Sequence, residues 1–165
     1  MPLGDIRDKL LAEGVEVLGI TATNARRARL YLRMRPTKLP LVADPDATTH
    51  QRYSVPQIPR ADITPAMLEE WQQIKVNPRG LLPQPVPVYE AASALIAQDE
   101  RQGEPPYTPD DLADWDRQGA LSIGQFLVDA EGIIRWANIE GEQDGPADLG
   151  QFPSEEELLA AARAL

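Results

Sequence analysis

Ala12-Glu-Gly-Val-Glu-Val-Leu-Gly-Ile-Thr21 carries the deciding pattern: a glycine stop at Gly14, then the short, β-branched and mostly apolar run Val15 to Ile20. Such a run reads as a strand covered on both faces, because a strand open to water on one side alternates apolar with polar residues. Upstream, Asp5 to Glu13 sets Ile6, Leu10 and Leu11 at helical spacing, and Gly14 suits the left-handed position that follows a helix. Downstream, Asn24 is placed to cap a helix carrying Leu30, Leu32 and Met34 that stops before Pro36. Leu39 to Ala43 reads as a second strand, and Asp46 is placed to cap a short helix running through Tyr53. A strand–helix–strand order implies a right-handed crossover and parallel pairing of the two strands.

The far end of the chain has a different grammar. Gln125 to Val128 and Ile133 to Ile139 are apolar runs separated by Asp129-Ala-Glu-Gly132, whose Asp and Gly suit a β-turn, so they predict a hairpin. Ser154 and Glu157 form a capping-box pair ahead of Leu158, Leu159, Ala162 and Leu165, which predicts a closing amphipathic helix.

Between these flanks lie 10 of the 16 prolines, from Pro56 to Pro109, so this third is built from short pieces. Thr64-Pro65 and Thr108-Pro109 are helix starts with a hydroxyl cap and proline in the first turn, and Gly119 suits the end of the second helix. Another helix is expected over 90–101. The expected stripes Met67, Trp71, Ile74 and Leu112, Trp115 need cover, which reads as an insertion packed over a sheet edge or a site.

Composition bounds the function. The 165 residues, with 42% hydrophobic and 25% charged, suit one ordinary domain, and the strand–helix–strand order above makes its expected class α/β. No cysteine is present, which excludes disulfides, thiolate metal sites and a thiol nucleophile within the chain. His50 is the single histidine, too little for a multi-histidine metal centre, and its surroundings in sequence read as a surface or partly packed position. The net charge of −10 opposes nucleic acid as a partner. It is uneven: residues 1–60 sum to +4 and residues 61–165 to −14. Arg26, Arg27, Arg29, Arg33 and Arg35 read as a solvated cationic helix face. No apolar run approaches the roughly 20 residues that cross a membrane, and Met1 to Asp5 lack the regions of a signal peptide. No membrane association and a cytoplasmic location are therefore expected.

Two acidic clusters have the carboxylate density that metal sites use. Glu140, Glu142, Asp144, Gly145 and Asp148 approximate a calcium loop, but Gln151 stands where a bidentate carboxylate is needed, so a solvated loop fits better. Asp110, Asp111, Asp114 and Asp116 crowd a helix start, where the dipole favours carboxylates. Trp71, Trp115 and Trp136 read as packing residues. No metal and no bound cofactor is expected.

The blocks Ala12 to Thr21, Leu39-Pro-Leu-Val-Ala-Asp-Pro-Asp46, Arg52-Tyr-Ser-Val55 and Gln125-Phe-Leu-Val-Asp-Ala-Glu-Gly-Ile-Ile-Arg-Trp136, closed by the helix from Ser154, resemble in order the peroxiredoxin-like (alkyl hydroperoxide reductase and thiol-specific antioxidant, or redoxin) branch of the thioredoxin fold. The resemblance covers about residues 6–55 and 121–165. It implies a thioredoxin-like mixed sheet flanked by helices, in one domain with core 1–58 and 120–165 and a Pro-rich helical insertion over about 59–119. It also implies an antioxidant thiol peroxidase or thiol–disulfide oxidoreductase. The family's opening strand and reactive cysteine would precede the first helix, so the resemblance describes an N-terminally truncated version, a fragment or late start, inactive as it stands. Ile123 stands where the family has an arginine that supports the thiolate. Ser122, Ile123 and Gly124 fall where relatives place a cis-proline that shapes the substrate groove, and they are the candidate groove residues; no catalytic residue is assigned. The alternative is a non-catalytic thioredoxin-fold binding protein that meets a protein partner through the insertion. In the family the absent strand lies between Val15 to Ile20 and Gln125 to Val128, so a substitute strand from the insertion, Val86 to Tyr89, is expected. The oligomeric state is not readable.

Overall fold

The computed structural model describes residues 3–34, 36–77, 82–90, 94, 109–142 and 152–165, and shows a mixed α/β protein with small two-stranded sheets. The chain divides into two compact units: Met1–Val55 with Ile123–Ile139 and Phe152–Leu165, and Pro56–Ser122 with Glu140–Gln151.

The first unit follows the expected element order. Helix α1 (Leu3–Ala12) ends before Gly14, whose φ of +82° is the left-handed conformation foreseen there. Strand β1 (Gly19–Thr21) pairs parallel with β2 (Leu41–Ala43), in register Ile20 to Val42, around helix α2 (Ala25–Met34). Asn24 caps α2, its Oδ1 accepting from the Arg27 amide at 2.9 Å. Strands β7 (Gly124–Val128) and β8 (Ile134–Ile139) form the antiparallel hairpin, with a bulge between Leu127 and Val128. The closing helix α6 (Glu155–Ala162) carries the full capping box: Ser154 Oγ accepts from the Glu157 amide, and the Ser154 amide donates to Glu157 Oε2 at 2.7 Å.

Helical spacing builds the core of this unit. Ile6 and Leu10 of α1 are four apart, as are Leu158 and Ala162 of α6, and these four meet Leu127 of β7 in one buried cluster. Val15, Val17 and Trp136 pack against it. Each large side chain so buried contributes about 1.5–3 kcal/mol. At the surface, Lys9 pairs with Glu155 and Arg163 with Glu13, joining α1 to the end of the chain.

Four expectations need correction in this unit. Of the run Val15 to Ile20 only Gly19 and Ile20 join the strand, with Thr21, while Val15 to Leu18 have no ladder partner among the described residues. Strand β1 is not covered on both faces, because Leu18, Ile20 and Val42 are 54, 40 and 45% exposed; apolarity alone does not say that a covering layer exists. The helix α3 (Thr48–Arg52) is not capped by Asp46. Asp44 does this instead, its two carboxylate oxygens accepting from the Thr48 and Thr49 amides at 3.2 and 2.7 Å, while Ala47 takes a left-handed φ of 51°. Finally, the expected single mixed sheet is not formed among the described residues: β1 ladders with β2 and β7 with β8, but β1 and β7 do not ladder with each other.

In the second unit, β3 (Gln57–Ile58) pairs antiparallel with β6 (Ala120–Leu121), and β4 (Lys75–Val76) with β5 (Val86–Pro87). Val86 is therefore engaged by Val76, not inserted as a substitute strand; β4 lies close in sequence, and its pairing closes a much shorter loop. Helix α4 (Pro65–Gln73) starts as foreseen, Thr64 Oγ1 accepting from the Met67 amide. Met67, Trp71 and Ile74 lie half-buried along one side. Helix α5 (Pro109–Gln118) ends at Gly119, with φ +68°. In its stripe Trp115 is half-buried, with the Arg60 guanidinium 5.5 Å from the ring centre, whereas Leu112 is exposed. The helix expected over 90–101 falls largely outside the described residues, as do residues 143–151 of the expected acidic loop.

Candidate apolar ligand site

Where β1 and β7 fail to ladder, a cavity of about 350 Å³ opens within the first unit. That volume lies at the small end of ligand pockets, roughly 300–1,000 Å³. One wall is the chain entering β1, from Val15 to Leu18 with Ile20. The opposite wall is Gly124 to Val128 with Trp136. Thr49, His50, Tyr53 and Val55 close one side, and Leu10 and Leu158 link the floor to the helical core. Tyr53 and Phe126 stack with ring centres 4.8 Å apart and planes tilted by 59°, which fixes the aromatic part of the wall.

Five lining residues carry polar side chains, Glu16, Thr49, His50, Tyr53 and Gln125, among a majority of apolar ones. His50 is half-buried, and its backbone oxygen accepts from the Val55 amide at 2.9 Å, so the turn after α3 holds it against the cavity. The side-chain oxygen Oε1 of Gln125 is buried and accepts no hydrogen bond from the described residues. A buried acceptor without a donor costs about 1–3 kcal/mol, and this oxygen, having no accessible surface, lies behind the cavity wall and does not face its interior. The Glu16 carboxylate stands at the rim, exposed and without an ion-pair partner among the described residues.

The hairpin that carries Gln125 is held at its turn by Asp129. Asp129 Oδ1 accepts from the Glu131 and Ile133 amides at 3.0 and 2.8 Å, and Arg135 Nε donates to Oδ2 at 2.6 Å. The Ile133 amide first, then the Arg135 cation, hold this carboxyl below its usual range. The cap at the other side behaves alike: the Thr49 amide lowers the Asp44 carboxyl.

The three candidate groove residues are not all brought to this site. Gly124 lines the cavity, and a Cβ there would come within 2.7 Å of Phe126 and 2.8 Å of Val55. Ile123 is 48% exposed and outside the lining. Ser122 belongs to the second unit, its amide donating to the Pro56 oxygen at 3.1 Å. Gln125 and His50 were not foreseen as lining residues. The one available signal was a glutamine inside an otherwise apolar strand.

The described residues place no group of three or more His, Asp or Glu side chains where they could hold a metal ion. Asp114 pairs with Arg117 at 2.6 Å, and Asp110 and Asp111 occupy the first turn of α5. No helix among the described residues is long and apolar enough to cross a membrane. Compared with protein-family models, curated proteins and solved structures, the chain matches none.

Proposed function

We propose that the first unit is a thioredoxin-like ligand-binding module, and that these 165 residues do not themselves carry out thiol chemistry. The observation that carries this reading is the predominantly apolar cavity between the walls that carry β1 and β7, in a chain that has no cysteine. A thiol peroxidase attacks peroxide with a thiolate and passes through a sulfenic acid. Met34 and Met67 offer only thioethers, which oxidise to sulfoxides and need a separate reductase to recover. Binding needs no such group.

A redoxin-type oxidoreductase is the second reading. The parallel β1–β2 pair, the β7–β8 hairpin and the closing helix α6 favour it, since they occur in the order the resemblance requires. Under that reading the reactive thiol lies outside these 165 residues.

Two measurements test the proposal. Anilinonaphthalene sulfonate should bind the folded protein with enhanced fluorescence, and Val17→Phe, which fills the cavity from its wall, should reduce that binding at least tenfold while leaving the far-ultraviolet circular dichroism unchanged. Unaltered binding in the folded Val17→Phe protein refutes the site. In parallel, the purified chain should show no peroxide reduction with dithiothreitol above the protein-free rate. Turnover by the chain itself refutes the binding-module reading in favour of an unforeseen chemistry.

A further inference from the structure

We infer that a second copy of this chain docks on the cationic face of α2, meeting it with the acidic helix α4 of its second unit; this does not depend on the cavity. Charge is segregated along the sequence. Residues 17–43 hold six cations and no acid, whereas Pro56–Ser122 and Glu140–Gln151 together hold 15 acids against 5 basic residues. On α2, Arg26 and Arg27 have other interactions within the chain. Arg29 and Arg33, one turn apart, are exposed and have no ion-pair partner among the described residues. On α4, Glu69 and Glu70 are likewise exposed and without an ion-pair partner among the described residues. No basic residue lies within that helix, and the adjoining Leu68 is 39% exposed, which adds an apolar element to the face.

The arrangement on α2 costs helix stability in the isolated chain. Like charges one turn apart repel, and the first turn holds Arg26 and Arg27 with no acid, where the helix dipole disfavours cations. Set against α4, the guanidinium forks of Arg29 and Arg33 each have a carboxylate to take through two parallel hydrogen bonds. A polyphosphate supplies similar acceptors, but the net charge of −10 repels it. The second unit carries that whole excess of acid and is drawn to α2. Two whole chains also repel, yet salt at 0.1 M screens this beyond about 10 Å, so the charges in contact decide. Since α2 and α4 belong to different units, the contact joins unlike faces, and it either closes into a ring or propagates.

Sedimentation equilibrium of the full chain from about 10 to about 500 µM, a range that detects contacts held by a few exposed ion pairs, should show mass rising with concentration. Raising salt from about 0.05 to about 0.5 M should lower the association constant at least tenfold. Arg29→Glu with Arg33→Glu, and separately Glu69→Lys with Glu70→Lys, should each give a monomer with unchanged far-ultraviolet circular dichroism. Mixing these two proteins should restore association, because the first keeps α4 and the second keeps α2. If a charge reversal prevents folding, the paired glutamine substitutions at the same positions make the same comparison. A chain that stays monomeric over the whole range, association that survives either pair of substitutions, or variants that remain monomeric when mixed overturns the inference. A monomeric chain that binds heparin through Arg29 and Arg33 also overturns it, and assigns the face to a polyanion.

Discussion

Gly119 and Gly14 both hold left-handed backbone, yet they differ in surroundings, and that difference predicts unequal effects of one methyl group. A Cβ at Gly119 would lie 2.1 Å from the Ile58 carbonyl oxygen and 2.6 Å from the Arg60 amide nitrogen, whereas a Cβ at Gly14 meets nothing within 4 Å. Gly119→Ala should therefore destabilise its unit by roughly 2–5 kcal/mol, combining left-handed strain with backbone overlap. Gly14→Ala should cost only about 1–2 kcal/mol; urea unfolding of both variants checks the contrast, and equal losses would contradict it. Asp129 supplies a pH prediction. Its carboxyl is held low in the fold, chiefly by the Ile133 amide, so its support of the turn is present at neutral pH. That support is lost as pH falls below the ordinary carboxylate value of about 4 and through the depressed one. The Ile133 amide resonance, followed from pH 6 to pH 2, should report this loss, and Asp129→Asn should remove the transition.

Helix α3 tests where capping is decided. Asp44 Oδ1 and Oδ2 accept from the Thr48 and Thr49 amides, and Asp46 makes no such bond to the helix start. Asp44→Ala should raise the exchange rates of those two amides about tenfold or more, while Asp46→Ala should leave them unchanged; the reverse result would restore the cap read from sequence. The error has a physical source: sequence spacing favours the nearest acidic residue, but the left-handed turn at Ala47 brings the more distant carboxylate over the helix start. Elements governed by local rules were legible. Gly14 after α1, Asn24 ahead of α2, Thr64-Pro65 opening α4 and the Ser154–Glu157 box each depend on residues within one turn. What was not legible depends on distant partners. The uncovered face of Leu18, Ile20 and Val42, the pairing of Val86 with Val76, and the cavity that gathers His50 and Gln125 are set by which segments meet across the fold. Of the candidate groove residues, the cavity takes up only Gly124: Ser122 belongs to the other unit, and Ile123, though in this one, is exposed and outside the lining.

At the scale of the first unit, stability is unevenly distributed. Its buried cluster joins α1, α6 and Leu127, whereas its sheet structure consists of two separate two-stranded pieces, one of them with three-residue strands. Two-stranded pieces are marginal alone, and backbone hydrogen bonds beside an unfilled cavity lie at the weak end of a protein's local stabilities. Amides in β1 and β2 should therefore exchange by local opening, at free energies several kcal/mol below those of Leu10 and Leu158. A ligand that binds only the closed cavity stabilises by RT ln(1 + [L]/Kd), about 2.7 kcal/mol at a hundredfold excess over Kd. Ligand addition should consequently raise the protection of β1 and β7 toward the helical value while changing α1 and α6 less. Native-state hydrogen exchange at increasing denaturant separates the alternatives. Uniform protection of β1, α1 and α6 in the ligand-free protein would mean that the small sheets carry no weakness beside the cavity, and would remove the energetic reason for a ligand to stabilise them selectively.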